Sequence, residues 1–368
     1  MTTASCQPPV RHSLTVLPSA AEAHPNPHGP ISGPRDISAV KMLRISVTDV
    51  CNLRCVYCMP EEGVEWLPKS HLLSYEELAT VVRAAAGLGV THFKLTGGEP
   101  TARRDLPELV RMLAPIAGVK DLSLTTNGVL LSPMLEGLHG AGLRRVTVSL
   151  DSLRPERFAE ITRSSEAAFH KVWASIERAI MLGMKVKLNV VAMRGVNERE
   201  VADFAGLTRR MPVTVRFIEF MPLGRSGLTE HPEAAMINEE EIRAAIEAAH
   251  GRLLPVRRES EPGVGPAKVW MLEGAQGRVG FISAMSHPFC ETCNRLRLTP
   301  DGLLRSCLFD GGEVDLKPLL RGTGSDLAAD GSLKDRGDAL ADAFRSCTTM
   351  KPVTHSQHGN KAMNRIGG

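Results

Sequence analysis

From Leu43 onward, short runs of alternating apolar and polar residues are separated by longer stretches in which apolar residues recur every three or four positions. Alternation at period two predicts half-buried strands, and the wider spacing predicts amphipathic helices. The expected strands are Leu43 to Thr48, Thr91 to Thr96, Asp121 to Thr126, Arg145 to Leu150, Val186 to Val191 and Val213 to Phe220. Several helix starts are legible between them. Ser74 to Glu77 and Asn197 to Glu200 have the capping-box arrangement, Ser132-Pro133 places proline at a first helical position, and Asn238 to Glu241 caps a helix ending near Gly251. Six strands alternating with helices predict parallel βα units, which close as a barrel or open as a doubly wound sheet.

Two absences narrow that choice. Neither a Gly-x-Gly-x-x-Gly crossover nor a Gly-x-x-x-x-Gly-Lys-Ser/Thr phosphate loop occurs, so a nucleotide would be held by other means. The residues with chemical potential fall after the strands: Cys51 to Cys58, Gly97-Gly-Glu-Pro100, Thr126-Asn-Gly128, then Ser149 and Asp151. Clustering at the carboxyl ends of strands favours a barrel-like arrangement. Residues 1–37 lack periodicity and read as a disordered arm, whose Cys6 is a bystander. Residues 38–225 form the βα part, Pro222 to Gly227 looks like a linker, and residues 226–350 differ in composition.

Composition adds exclusions. Across 368 residues the net charge is +3, too small to argue for nucleic acid or membrane, so anion binding must come from local Arg and Lys clusters. No secretory signal and no apolar span of membrane length is present, and a cytoplasmic location is expected. In a reducing compartment the eight cysteines suit metal ligation better than disulfides.

Six of those cysteines form two tight groups. Cys51, Cys55 and Cys58 follow the first strand on a loop, and three thiolates on a four-iron cluster leave one iron open to a cofactor. Part of a zinc site or buried thiols are the alternatives, although a zinc ribbon would pair two Cys-x-x-Cys knuckles. The spacing, with Tyr57 before the third cysteine, resembles the signature of the radical S-adenosylmethionine (SAM) superfamily. Cys290, Cys293 and Cys307 form the second group, where structural zinc, with His287 as a fourth ligand, and an iron–sulfur cluster stand equal on spacing alone. Arg295 and Arg297 alternate on a short strand between these cysteines, either as a solvated face or as a grip for a polyphosphate.

The ordered set of motifs resembles the GTP 3',8-cyclase family of radical SAM enzymes, from Leu43 to the terminal Gly367-Gly368. It includes Lys94 to Pro100, Leu124 to Gly128, Val148 to Leu153, Phe217 to Gly224 and both cysteine triads. The resemblance implies an α/β fold, an incomplete (βα)6 TIM-type barrel closed at its side by a carboxyl-terminal cluster-binding part. It also implies two 4Fe-4S clusters, one on Cys51, Cys55 and Cys58 and an auxiliary one on Cys290, Cys293 and Cys307, the latter's open iron contacting the guanine. Tyr57, Gly98, Ser149 and Met221 would surround SAM, and Arg44, Lys94, Thr125, Lys187, Arg295, Leu296 and Arg297 would surround GTP. The 351–368 tail would bring Gly367 and Gly368 into the active site. The implied reaction is abstraction of the ribose C3' hydrogen and attack on guanine C8, the first step of molybdenum cofactor biosynthesis. A homodimer, an electron donor and product transfer to the cyclic pyranopterin monophosphate synthase come with the family. Cys347 has no role in that pattern. Another radical SAM enzyme with an auxiliary cluster, and a non-catalytic zinc-binding module, are the competing readings. A pair of arginines beside the second triad speaks against the first, and the colour of anaerobically purified protein, brown for iron–sulfur clusters and absent for zinc, discriminates the second.

Overall fold

The computed structural model describes residues 16–17, 35–223, 232–257, 264–322, 326–327, 333–334, 336–355 and 363–366. Most of the amino-terminal arm, Cys6, residues 224–227 of the expected linker, and Gly367 and Gly368 lie outside the described residues.

All six expected strands form, each within about two residues of its predicted bounds: β2 (Met42–Ser46), β3 (His92–Thr96), β4 (Asp121–Thr126), β5 (Arg145–Ser149), β6 (Lys185–Ala192) and β7 (Val213–Glu219). They pair in sequence order and in parallel. Their outward positions, such as Leu43 and Ile45, Phe93 and Leu95, and Val213, Val215 and Phe217, are buried in one large apolar cluster. Helices α1 (Tyr75–Gly87), α2 (Leu106–Leu113), α3 (Leu135–Gly140), α4 (Pro155–Thr162), α5 (Glu166–Met181) and α6 (Val201–Arg210) connect these strands and contribute to that cluster. Burying each such Leu, Ile or Val contributes roughly 1.5–3 kcal/mol.

The parallel run is longer than the sequence pattern indicates. After α7 (Glu239–His250) and β8 (Leu253–Pro255), β9 (Lys268–Leu272) pairs antiparallel with β10 (Arg278–Ile282), which joins β7 in parallel. Farther on, β11 (Arg295–Leu298) joins the opposite edge, parallel to β2. It continues antiparallel into β12 (Leu303–Arg305), β13 (Glu313–Asp315) and the two-residue β1 (Val16–Leu17). Residues 226–350 therefore extend both edges of one sheet, ordered β1-β13-β12-β11-β2-β3-β4-β5-β6-β7-β10-β9-β8. No hydrogen bonds join β10 to β11, and the chain between them, residues 283–294, carries Cys290 and Cys293.

Local signals hold at three of four helix starts. Ser74 and Asn238 make reciprocal capping boxes with Glu77 and Glu241, and Pro133 lies in a 3-10 turn (Ser132–Met134) that leads into α3. Asn197 and Glu200 do not cap each other. Asn197 instead donates to the Asp151 and Val191 carbonyls at 2.7 and 2.9 Å, and Glu200 accepts from Ser152 and the Leu153 amide. These longer-range bonds fix the turn after β5, and a short-range motif cannot disclose them.

Candidate active site

The first cysteine loop is held by backbone bonds on two sides. Gly98 N donates to Thr48 O at 2.7 Å and Glu99 N to Val50 O at 2.8 Å, so the Gly-Gly turn after β3 lies flat against the chain entering Cys51. Opposite, Arg54 N and Val56 N donate to Thr162 and Ile161, at the end of α4. Cys55 to Met59 close a tight turn.

Within this loop the three thiols lie close enough to repel one another when ionised. Burial pushes Cys55 well above the ordinary thiol range, and the nearby Cys58, Asp151 and Cys51 push it further. Burial likewise raises Cys51 to about 11 and Cys58 to about 12, with mutual repulsion adding to the rise at Cys58. Such a group of thiols resists ionisation until a cationic centre takes the protons' place, as an iron–sulfur cluster does. Amide donors already turn to one sulfur: Leu53 N lies 3.5 Å and Asn127 Nδ2 3.9 Å from Cys51 Sγ. Donor set and surroundings fit a cluster. Tyr57 donates to Asp151 Oδ2 at 2.7 Å, and burial holds that carboxyl up at about 6. Gly98 packs against protein backbone, and Ser149 sits at the end of β5 beside Asn189.

Inside the curved sheet lies a cavity of about 200 Å³. Seven cations line it: Arg44, Lys94, Arg145, Lys187, Arg216, Arg295 and Arg297, with no carboxylate among the described lining residues. Register explains their gathering. Arg297, Arg44 and Lys94 are directly paired across β11, β2 and β3, and period-two alternation turns all three inward. Burial, then Arg295 and Arg216, lowers Arg44 to about 9; burial and the neighbouring cations also lower Lys94 and Arg297 well below their usual values. Thr125 and Met221 also line the cavity, whereas Leu296, at the alternate position of β11, is fully buried in the apolar cluster.

Cys290, Cys293 and Cys307 form part of the same cavity wall. The loop carrying the first two is anchored by Glu219, which accepts from Met285 N at 2.8 Å, Ser286 N at 2.9 Å and the Ser286 hydroxyl. Burial would raise Cys293, but Arg295 and Lys351 outweigh it and bring the thiol down to about 6. Cys290 is raised by burial and by Cys307 and Cys293. No group of three His, Cys, Asp or Glu among the described residues is arranged for a single metal ion. His287 is exposed and turns to Glu240 at 3.8 Å, so it is not poised as a fourth ligand. Cys347 is fully buried and donates to Leu304 O at 3.4 Å, which removes it from that role too.

The sequence reading missed Arg216 and Arg145. Arg216 is inward on β7, donates to Asn189 Oδ1 at 2.6 Å, and has a buried Nε without a partner among the described residues. Its signal is a charge at a position alternating with the apolar Val213, Val215 and Phe217. Arg145 pairs with Asp121. Phe309 and His355, stacked with ring centres 4.1 Å apart, complete the wall near Cys307, and Met363 brings the tail to the cavity.

Residues 45–208 match the Radical SAM superfamily and residues 213–356 match Molybdenum Cofactor Synthesis C. A GTP 3',8-cyclase of Pelotomaculum thermopropionicum is 52% identical over 89% of this chain and 98% of its own length. One from Desulforamulus reducens is 44% identical over the same shares. Among solved structures, Streptococcus suis SuiB bound to S-adenosylmethionine superposes with a TM-score of 0.56, at 14% identity, over 84% of this chain and 66% of that one, a likeness of fold.

Proposed function

The chain belongs to the GTP 3',8-cyclase family, and on that footing we propose an assignment of its site residues to the family's reaction. It is a radical SAM enzyme of the first step of molybdenum cofactor synthesis, with SAM and 4Fe-4S clusters as cofactors. When bound, the first cluster and SAM supply a hydrogen-abstracting carbon radical.

Cys51, Cys55 and Cys58 hold the first cluster, with Tyr57, Gly98, Ser149 and Met221 around SAM. Tyr57 acts by fixing the Asp151 carboxylate beneath the loop. Gly98 acts by letting the turn after β3 meet that loop closely. Cys290, Cys293 and Cys307 hold the auxiliary cluster at the cavity wall. Arg44, Lys94, Lys187, Arg295 and Arg297, joined by Arg216, bind the GTP triphosphate, and Thr125 contacts the nucleotide. Leu296 contributes through its backbone, since its side chain is in the core. Cavity cations neutralise the triphosphate while the second triad orients the base, so ribose C3' and guanine C8 are held for bond formation. By the family's pattern Gly367 and Gly368 act in the active site, and Met363, four residues before Gly367, lines the cavity.

One observation carries this assignment: seven cations and no described carboxylate line a cavity whose wall is the second triad. Planar, charge-assisted Arg contacts suit a triphosphate, and nothing in a peptide-modifying enzyme or a zinc knuckle calls for them. We assign to the cytoplasm a homodimer that takes electrons from a separate donor and passes its product to the cyclic pyranopterin monophosphate synthase, on the strength of the family. No described helix is long and apolar enough to cross a membrane.

The test is anaerobic reconstitution followed by dithionite, SAM and either GTP or ATP, with 5'-deoxyadenosine and nucleotide products separated by chromatography. GTP-dependent release with a cyclised guanine product is expected. Release indifferent to the nucleotide refutes the substrate assignment, and no release from iron-loaded protein refutes the radical one.

A further inference from the structure

One buried cation is spent on the second cysteine site from outside the cavity. Helix α9 (Arg336–Thr349) ends just before Lys351, which is 4% exposed. Its ammonium donates to Arg295 O at 2.6 Å and Cys293 O at 3.1 Å and lies 3.6 Å from Cys293 Sγ. None of these described bonds goes to a carboxylate. Four residues on, the His355 backbone donates to the Cys290 sulfur, its ring bonds Ala284 O at 2.8 Å, and it stacks on Phe309, two residues past Cys307. Residues 351–355 thus contact Cys293 and Cys290 and reach Phe309 near Cys307, at the base of the tail.

We propose that Lys351 is a positioning residue of the second site: it fixes the Cys293 ligand and serves as the built-in counter-charge that raises the reduction potential of the centre held there. A buried ammonium is costly without an anion, and the anion within its reach is thiolate sulfur. Adding an electron to a centre beside a fixed positive charge is easier than beside a neutral one. The inference rests on reading this triad as an iron–sulfur site. A purely structural role, fastening the tail to β11, would need the hydrogen bonds but not the charge.

Full-length holoenzyme reconstituted without oxygen separates these roles. The second centre is identified as the paramagnetic signal lost in Cys290→Ala, and its midpoint potential is read by redox titration with iron counted per chain. Lys351→Met is expected to shift the potential downward by about 59 mV or more, a tenfold change in a one-electron equilibrium, and Lys351→Arg to restore it. Iron lost from the second site in Lys351→Met but kept in Lys351→Arg supports the same role. An unchanged potential in iron-loaded Lys351→Met, or equal iron loss in both variants, overturns the proposal. A wild-type second triad that takes up no iron overturns the functional reading itself, and this proposal with it.

Discussion

Replacing Gly98 by alanine tests how the turn after β3 supports the first cysteine loop. An added Cβ would stand 2.5 Å from the Val50 carbonyl oxygen, 2.7 Å from its carbonyl carbon and nearer still to the Asp49 carbonyl oxygen. All three atoms are backbone, so no side chain can swing aside. Contact at 2.5 Å is about 0.5 Å inside the 3.0 Å that real Cβ atoms keep. Val50 also accepts the Glu99 amide, so the loop cannot retreat without breaking that bond. Overpacking of this kind costs about 1–3 kcal/mol, or roughly fivefold to 150-fold in an equilibrium constant. Paid by the fold, the cost lowers the urea midpoint of the iron-free protein; taken up by the loop, it displaces Cys51 and lowers iron per chain after reconstitution. Gly87→Ala is the control, because its Cβ meets nothing within 4 Å at the end of α1. There, a gain of about 0.4–1 kcal/mol is expected. Full iron loading together with an unchanged urea midpoint in Gly98→Ala would refute the reasoning.

Three further outcomes are expected. Arg216→Met should raise the KM for GTP by about 10-fold to 150-fold, the loss of one hydrogen bond to a charged group at roughly 1.5–3 kcal/mol, with iron content unchanged; an unaltered KM excludes Arg216 from the triphosphate site. In iron-free protein, iodoacetamide at pH 7.5 should modify Cys293 ahead of Cys51, Cys55 and Cys58, because its thiol is brought down to about 6 while Cys51 and Cys58 stand at about 11 and 12. Its rate should climb as pH rises through about 6 and level off above, since the thiolate is then fully formed; peptide mass spectrometry showing uniform labelling would contradict this. Cys347→Ala should keep the iron count of the wild type and cost about 1–3 kcal/mol of stability through a small cavity, whereas iron loss at the second site would restore Cys347 as a ligand.

The legibility of the six central strands came from their two faces. Outward positions meet helices and are apolar, inward positions meet a cavity and are mostly polar, so β2 reads Met-Leu-Arg-Ile-Ser with Leu43 and Ile45 in the core and Met42 and Arg44 lining the cavity. Strand β10 escaped, and β11 was legible only as a short strand carrying Arg295 and Arg297, because Arg278–Ile282 and Arg295–Leu298 lie outside the regular alternation of strand and helix. What joins them to β7 and β2 is pairing over long sequence separation, which leaves no local period. Helix caps divide in the same way: Ser74 and Asn238 bond within their own turn, while Asn197 and Glu200 bond to residues around β5.

Within the site, the sequence named residues whose chemistry is written in their type and spacing, and it missed those defined by register. Two cysteine triads announce themselves, and Arg295 and Arg297 stand beside one of them. Arg216 carries no motif, yet Gly280 faces it across β7 and β10, where an added Cβ would lie 3.2 Å from the Arg216 side chain. The missing side chain on one strand makes room for the guanidinium on the next, and that guanidinium bonds Asn189 on the strand beyond. Three strands from two parts of the sequence therefore place one cation in the cavity. The same logic applies to Lys351, which carries no motif in the sequence and becomes part of the second site only because α9 delivers it to the start of β11. Charge near a reactive centre is set by which strand or helix end stands next to which, so the cations that matter most for a polyanion and a metal centre are the last to be visible along the chain.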